Sequence, residues 1–251
     1  MSAPAYLSLA AELRRAVLDG TYLPGTTLPR IVDLATERGI AKQTVREAVA
    51  LLESEGLVDV VRRRGTVVRE RTTPKRLVRT RRVYRDDIGY YFDPTAQGWR
   101  ALETPTVGWA PAPPDIAAGL GVRPGEDVLV RDRIIGEPET RTPMQIATSY
   151  LPAAIARGTR LAEPDTGPGG IYDRLEQDLG HRPLAWEETI GSRMPTPTET
   201  RRLGLRPGTP LLRITRTTTG PDGTVVEIND TRMSADLFSV GYAVERHPEA
   251  R

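Results

Sequence analysis

Gly39-Ile40-Ala41-Lys42-Gln43-Thr44-Val45-Arg46-Glu47-Ala48-Val49-Ala50-Leu51-Leu52-Glu53-Ser54-Glu55-Gly56-Leu57-Val58 is the stretch on which the reading of the chain turns. Val45, Ala48, Val49 and Leu52 fall on one stripe of a helix running from about Lys42 to Ser54. Lys42, Gln43, Thr44, Arg46 and Glu47 are left on its outward or flanking faces, so the helix opens with a turn and a half that is polar and largely basic. Gly39-Ile40-Ala41 is a tight turn ahead of it.

Upstream, Tyr6, Leu9, Ala10, Leu13 and Val17 keep helical spacing, with Glu12, Arg14, Arg15 and Asp19 on the opposite face and Gly20 near the end. Pro24-Gly25 makes a turn, and a second short helix runs through Val32, Leu34 and Ala35 until Gly39 stops it. Downstream, Leu57-Val58-Asp59-Val60-Val61 and Thr66-Val67-Val68 read as two strands around the tip Arg62-Arg63-Arg64-Gly65. Helix, helix, turn, helix, hairpin is the order of a winged helix-turn-helix. A major groove admits one helix, whose first residues reach base edges, and a basic hairpin tip reaches phosphates or the minor groove. Double-stranded operator DNA is therefore the expected partner.

Leu9-to-Gly20, Pro24-Gly25-Thr26-Thr27-Leu28-Pro29, Thr44-Val45-Arg46-Glu47-Ala48, Leu51-to-Val58 and Arg64-Gly65-Thr66-Val67-Val68 keep their mutual spacing and resemble the DNA-binding domain of GntR-type regulators over residues 6–68. The resemblance implies that Lys42, Gln43, Thr44 and Arg46 read the operator and that Gly65 approaches DNA beside Arg62, Arg63 and Arg64. It also marks a departure. The family usually starts its second helix with polar residues that include an arginine, whereas Val32 stands here after Arg30-Ile31, leaving Arg30 as the substitute contact.

The 251 residues and 38% apolar content suit two domains. Residues 1–85 carry 17 Lys/Arg against 9 Asp/Glu, and residues 86–251 carry 18 against 24, a net +8 followed by −6. A basic first third fits a polyanionic partner, and an acidic remainder does not fit nucleic acid wrapped around the whole chain. With no cysteine and only His181 and His247, neither a disulfide nor a thiolate or histidine metal cluster is expected, and no cofactor is indicated. The absence of a long apolar run or a signal-like start predicts a cytoplasmic protein, at the nucleoid, without a membrane partner. Residues 69–82, basic and broken by Thr72-Thr73-Pro74, read as a connector beside DNA, between a domain at 1–68 and another at 83–251.

From Val83 onward short β-rich runs alternate with Pro/Gly turns and short helices at Ile171–Leu179 and Thr198–Leu203, an α+β pattern. Leu120-Gly121-Val122-Arg123-Pro124-Gly125 recurs as Leu203-Gly204-Leu205-Arg206-Pro207-Gly208. Each copy follows a helical segment and precedes a strand, a turn and a second strand: Val128–Arg133 and Met144–Leu151, then Leu211–Arg216 and Val225–Met233. Two such hairpins predict one antiparallel sheet with pseudo-two-fold symmetry and a cleft where equivalent strands meet. Arg131 and Arg133 share a strand face, and two such arginines can grip one anion or simply form an ion-paired surface.

Arg131-Asp132-Arg133, Ser149-Tyr150-Leu151-Pro152, Ile171-to-Glu176 and Val226-Glu227 resemble the UTRA effector domain of the HutC branch of GntR regulators. That resemblance implies a chorismate-lyase-like fold, a small anionic or polar effector, and a pocket that includes Arg131, Arg133, Tyr150 and Glu227. Ala147 stands where an acid is frequent and Met233 where a tyrosine is frequent, so amino-sugar-phosphate specificity does not carry over. Gly89-Tyr90-Tyr91-Phe92-Asp93 and Trp99 either shape the pocket or fill the core. The expected function is a homodimeric, operator-binding repressor modulated by a metabolite. A ligand-independent repressor is the alternative, and a lyase-like enzyme is disfavoured because no nucleophile is paired with a base.

Overall fold

The computed structural model describes residues 4–70, 73–79, 83–85, 90–91 and 98–244. The chain divides into two compact units, Met1–Thr73 with Leu205–Thr209, and Pro74–Gly204 with Pro210–Arg251.

In the first unit α1 (Ala5–Leu18), α2 (Ile31–Arg38) and α3 (Lys42–Ser54) precede a hairpin of β1 (Val58–Val61) and β2 (Gly65–Val68). Leu9, Ala10 and Leu13 of α1, Leu34 and Ala35 of α2, and Val45, Ala48, Val49 and Leu52 of α3 meet in one core, closed by Leu28, Val58 and Val68. Gly39 takes the left-handed conformation, φ 61°, that ends α2 and lets the chain turn straight into α3. Arg14 bonds Glu55 and Arg38 bonds Glu12, tying α1 to the end of α3 and to α2. Both pairs are exposed, so solvent screens them and they add little to stability.

The second unit is built on a seven-stranded antiparallel sheet. Its strands are β6 (Arg100–Ala101), β7 (Thr106–Pro111), β8 (Asp127–Glu137), β9 (Thr142–Pro152), β10 (Ala185–Arg193), β11 (Leu211–Thr219) and β12 (Val225–Ser234). The order is β10-β11-β12-β9-β8-β6, with β7 also paired to β8. The repeated hairpins β8–β9 and β11–β12 join through their second strands, Ile228–Met233 against Tyr150–Gln145. The predicted pseudo-two-fold arrangement is therefore present.

The pleat sends Leu129 and Leu151 to one face, where they pack with Leu161, Ile171, Leu175 and Leu184. Val128 and Ile228 go to the other, under Ile116, Ala117 and Leu120 of α4 (Pro114–Leu120). The segment expected as a helix at 171–179 is a short α6 (Gly170–Asp173) continued by a wider π-type turn, Arg174–Asp178.

One part of the expected connector is a strand instead. β3 (Lys75–Arg79) pairs in parallel with β13 (Phe238–Tyr242). The reason is Leu77: 1% exposed, it packs with Trp99, Met233 and Phe238, and this burial outweighs the polarity of its neighbours. Trp99 is thus a core residue. Tyr90–Tyr91 forms β5 against β4 (Tyr84–Arg85), while Gly89, Phe92 and Asp93 lie outside the described residues, as do Arg71, Arg81 and Arg82 of the connector.

The face of the sheet flanked by α4 and α7 (Pro197–Leu203) carries a charge network that sequence patterning did not disclose. Arg232 reaches Glu199 at 3.2 Å, Arg193 bonds Glu199 at 2.7 Å, Arg213 bonds Asp230 at 2.8 Å, and Arg202 pairs with Asp132. Glu199 also completes a capping box with Thr196 at the start of α7. Burial by itself would raise the Glu199 pKa, but hydrogen bonds from Arg193 and the Thr196 backbone prevail and hold it at about 2. A folded-state pKa below the unfolded value gives stability that is present above about pH 4.5 and lost as the pH falls to about 2. Urea unfolding of wild type and Glu199→Gln is expected to differ by about 3 kcal/mol at pH 7. The difference should shrink steadily below pH 4.5; a difference independent of pH would mean that the carboxylate charge is not what stabilises.

Candidate functional site

In the first unit α3 presents its opening residues outward. Lys42, Gln43, Arg46 and Glu47 are exposed, Thr44 is half-buried, and Val45 beneath them is fully buried, which fixes the helix's rotation. Gln43 Nε2 donates to Glu47 Oε1 at 3.2 Å across one turn, a tie that must open for the amide to reach a base. Lys42 and Arg46 have no acidic partner among the described residues. Arg30, the residue before α2, is exposed, and so is Val32 at 49%.

The wing tip is exposed from Arg62 to Gly65. Arg63 sits in the left-handed region at φ 69°, unusual for a residue with a side chain, and Gly65 has φ 101°. The three arginines differ in their engagements. Arg64 Nη2 donates to the Gly25 carbonyl at 2.9 Å and so ties the wing back to the turn after α1. Arg62 and Arg63 have no acidic partner among the described residues. The surface can therefore offer a recognition helix and two free cations to a polyanion.

In the second unit a cavity of about 390 Å³ lies over β8, lined by Arg131 and Arg133, by Thr104 and Pro105, and by Pro164, Asp165, Thr166, Gly170 and Ile171. Arg131 is 2% exposed; its Nη1 donates to the carbonyls of Leu161, at 2.6 Å, and Glu163, and its Nη2 to that of Pro164 at 3.1 Å. Most of its donors are thus spent on stapling the 161–164 loop to β8, which leaves its charge and its unpartnered Nε. Burial, and then the repulsion of Arg133, lower its pKa to about 10, so it stays charged at neutral pH.

Arg133 Nη2 donates to Ser149 Oγ at 2.9 Å. That oxygen also accepts from Asn229 Nδ2, and Asn229 Oδ1 accepts from Thr231, so a buried polar relay runs from β8 across β9 to β12. Neither Arg131 nor Arg133 is ion-paired among the described residues. One buried and one half-buried guanidinium group, neither ion-paired among the described residues, face the single carboxylate Asp165 across the lining and leave the cavity with an excess of positive charge, suited to a carboxylate or phosphate.

The other two expected pocket residues stand elsewhere. Tyr150 points to the opposite face of the sheet, against α4 and the Ile228 cluster, because it pairs with Val130 and not with Arg131. Glu227 is completely buried beyond the cavity wall, its Oε2 accepting from Tyr172 at 2.8 Å and Thr218 at 2.7 Å. The cleft also does not lie where equivalent strands meet. β9 and β12 are zipped together there by the Ser149–Asn229 bond.

Sequence reasoning missed Thr104, Pro105 and the 164–170 segment, which are aperiodic. The one available signal was Gly167-Pro168-Gly169-Gly170, whose three glycines all have positive φ. Among the described residues no cluster of three or more His, Asp or Glu is placed to hold a metal, and no helix is long and apolar enough to cross a membrane.

A winged helix-turn-helix joined to an α+β domain of this topology defines a DNA-binding transcription regulator with an effector domain, a class without enzymatic activity. Residues 5–68 match the model of bacterial regulatory proteins of the gntR family, and residues 103–239 match the UTRA domain. An HTH-type transcriptional regulator of Streptomyces coelicolor is 36% identical over 235 residues, covering 90% of this chain and 87% of that one. The repressor NagR of Bacillus subtilis is 24% identical over 245 residues, 97% of this chain and 96% of its own. A crystal structure of a GntR-family transcriptional regulator, 30% identical, superposes with a TM-score of 0.65 over 97% of this chain and 98% of that chain. The chain belongs to the GntR family and carries a UTRA effector domain.

Gly169 tests the construction of the cavity wall. It has φ 87°, and a Cβ there would lie 1.6 Å from Asp173 Oδ2, which is paired to Arg85 at 2.6 Å. Gly169→Ala is expected to destabilise the second unit by about 2 kcal/mol or more in chemical denaturation, since it combines backbone strain with displacement of a buried carboxylate. An unchanged unfolding midpoint would contradict this wall geometry.

Proposed function

We propose that the chain is a transcription repressor that binds a pseudo-palindromic operator as a homodimer and whose operator affinity changes when a small anionic metabolite enters the cavity at Arg131 and Arg133. The observation that carries the reading is the pair of guanidinium groups, Arg131 buried and Arg133 half-buried, without ion pairs among the described residues and lining a 390 Å³ cavity in a chain that also holds a recognition helix. Such a volume suits a small metabolite, and uncompensated buried charge is stabilised by a bound anion. The name of the Bacillus subtilis relative, a transcriptional repressor, supports the sign of regulation.

Two recognition helices in successive major grooves read a two-fold operator. Base contact belongs to Lys42, Gln43, Thr44 and Arg46, with Arg30 on the flank, and backbone contact to Arg62 and Arg63, with Arg64 and Gly65 shaping the wing. The effector acts only if it binds the DNA-competent and DNA-incompetent states with different affinity. The connector between the units carries that difference, and with Lys75–Arg79 committed to a strand it is shorter than residues 69–82.

The deciding experiment is a gel-shift titration of the full chain on the DNA upstream of its own gene, with non-specific competitor and then a panel of organic acids and phosphate esters. A specific shift relieved by one anion supports the proposal; a specific shift that no compound alters would favour ligand-independent repression. Arg46→Ala is expected to lose about 1–3 kcal/mol of specific affinity, and Arg62→Ala to weaken specific and non-specific binding alike and lower the salt slope by about 1. Arg133→Ala should bind operator as wild type does and lose the response to the anion. It is the cleaner probe because Arg131 also holds the 161–164 loop. An Arg133→Ala protein with a normal effector response would remove the cavity from the mechanism.

A further inference from the structure

The first unit contains a short loop, Leu205–Thr209, that is remote in sequence from the rest of it. The chain leaves the second unit after α7 to form this loop and returns at Pro210, just before β11. The loop completes the second Leu-Gly-x-Arg-Pro-Gly copy, so the first copy, Leu120–Gly125, shows how the same sequence behaves without that engagement. Each copy follows a helix capped by a left-handed glycine, Gly121 at φ 68° and Gly204 at φ 60°. The turns also agree: Glu126 N donates to the Arg123 carbonyl at 3.0 Å, and Thr209 N to the Arg206 carbonyl at 3.2 Å. Gly125 and Gly208 have φ 78° and 71°.

Their surroundings differ. Arg123 keeps 91% of its side-chain surface open, and a Cβ at Gly125 would meet nothing within 4 Å. A Cβ at Gly208 would lie 2.6 Å from both Gly56 N and the Ser54 carbonyl oxygen, and 2.9 Å from that of Glu53. Gly56 is itself left-handed, φ 72°, so two glycine backbones meet at the end of α3 where no side chain fits. Beside them the Pro207 carbonyl accepts from Arg69 Nη2 at 2.6 Å. Arg69, 8% exposed and next after β2, also bonds Asp59 of β1 at 2.8 Å, and Arg206 reaches the other Asp59 oxygen at 3.3 Å. The loop thus holds the end of the recognition helix and the base of the wing together, and its loss would leave a buried guanidinium short of an acceptor.

We propose that Leu205–Thr209 is a clamp that couples the folding of the DNA-binding unit to that of the effector unit, a second tether beside the connector. Because α7 and β11 are its covalent ends, a shift of either pulls on Glu53, Ser54 and Asp59 without passing through residues 69–74. The two copies of the repeat have therefore taken different tasks, the first a plain turn and the second a mechanical link to the elements that read DNA.

The test needs neither an effector nor an operator. Trp99, Trp109 and Trp186 all lie in the second unit, and α1–α3 hold most of the described α-helical residues. Tryptophan fluorescence and helix dichroism therefore follow the two units separately as the full chain is heated. In wild type the two midpoints should coincide, and Ala35→Gly, in the first unit's core on α2, should lower both together. Gly208→Ala should drop the helix midpoint at least about 5 °C below the tryptophan midpoint. Gly125→Ala carries the same backbone strain in open space and should keep them together. Wild-type midpoints that already differ, or an Ala35→Gly protein that loses helix stability alone, would mean that the units unfold independently, and the clamp falls whether or not Gly208→Ala accumulates folded. Midpoints that stay together in Gly208→Ala, or separate equally in Gly125→Ala, overturn it as well.

Discussion

The pairing of β9 with β12 is the constraint on which the effector domain depends. Each repeated hairpin has a second strand whose outer edge needs hydrogen bonds, and the ladder between Ile228–Met233 and Tyr150–Gln145 supplies them while making one sheet of the two. It also determines what lies on each side of the sheet. Tyr150, Asp230 and Arg232 go to the face under α4 and α7, while Ser149, Asn229 and Thr231 go to the face of the cavity arginines. Charge is treated differently on the two sides. Under the helices Arg193, Arg202, Arg213 and Arg232 each meet a carboxylate; on the cavity face Arg216 also meets one, Glu188, whereas Arg131 and Arg133 meet backbone carbonyls and a hydroxyl. Arg131 and Arg133, the arginines that line the cavity, are left without an ion pair among the described residues, and this is the charge on which the proposed anion site rests.

How much of this was legible in the sequence follows from the range of the interactions involved. The recognition helix was readable because Val45, Ala48, Val49 and Leu52 repeat at helical spacing, and the structure buries those four. The repeated Leu-Gly-x-Arg-Pro-Gly segments announced two equivalent hairpins, and their topology is as expected. Local chemistry wrote both signals.

The cavity was legible only in part. Arg131 and Arg133 do line it together, since strand alternation puts them on one face. Tyr150 and Glu227 do not. Tyr150 falls on the other side of the pleat, and Glu227 is enclosed by Tyr172 and Thr218, contacts set by tertiary packing that no spacing encodes. β3 was hidden for a related reason: a single buried leucine among basic neighbours decides it, and its partner strand lies at the other end of the domain. The loop that closes the cavity has no period at all, and only its glycines hinted at an unusual backbone.

The parallel pair of β3 and β13 gives the effector domain an unusual closure. The first described strand of the domain is held by its last one, with Leu77 and Phe238 packed in one cluster. A parallel pair brings no turn of its own, so its cohesion comes from this burial and from the ladder alone. β13, late in the sequence, is therefore a structural neighbour of β3, the first described strand of the second unit. Truncating the Phe238 side chain would therefore be felt first far earlier in the sequence, at Leu77 and β3, before it reached the seven-stranded sheet.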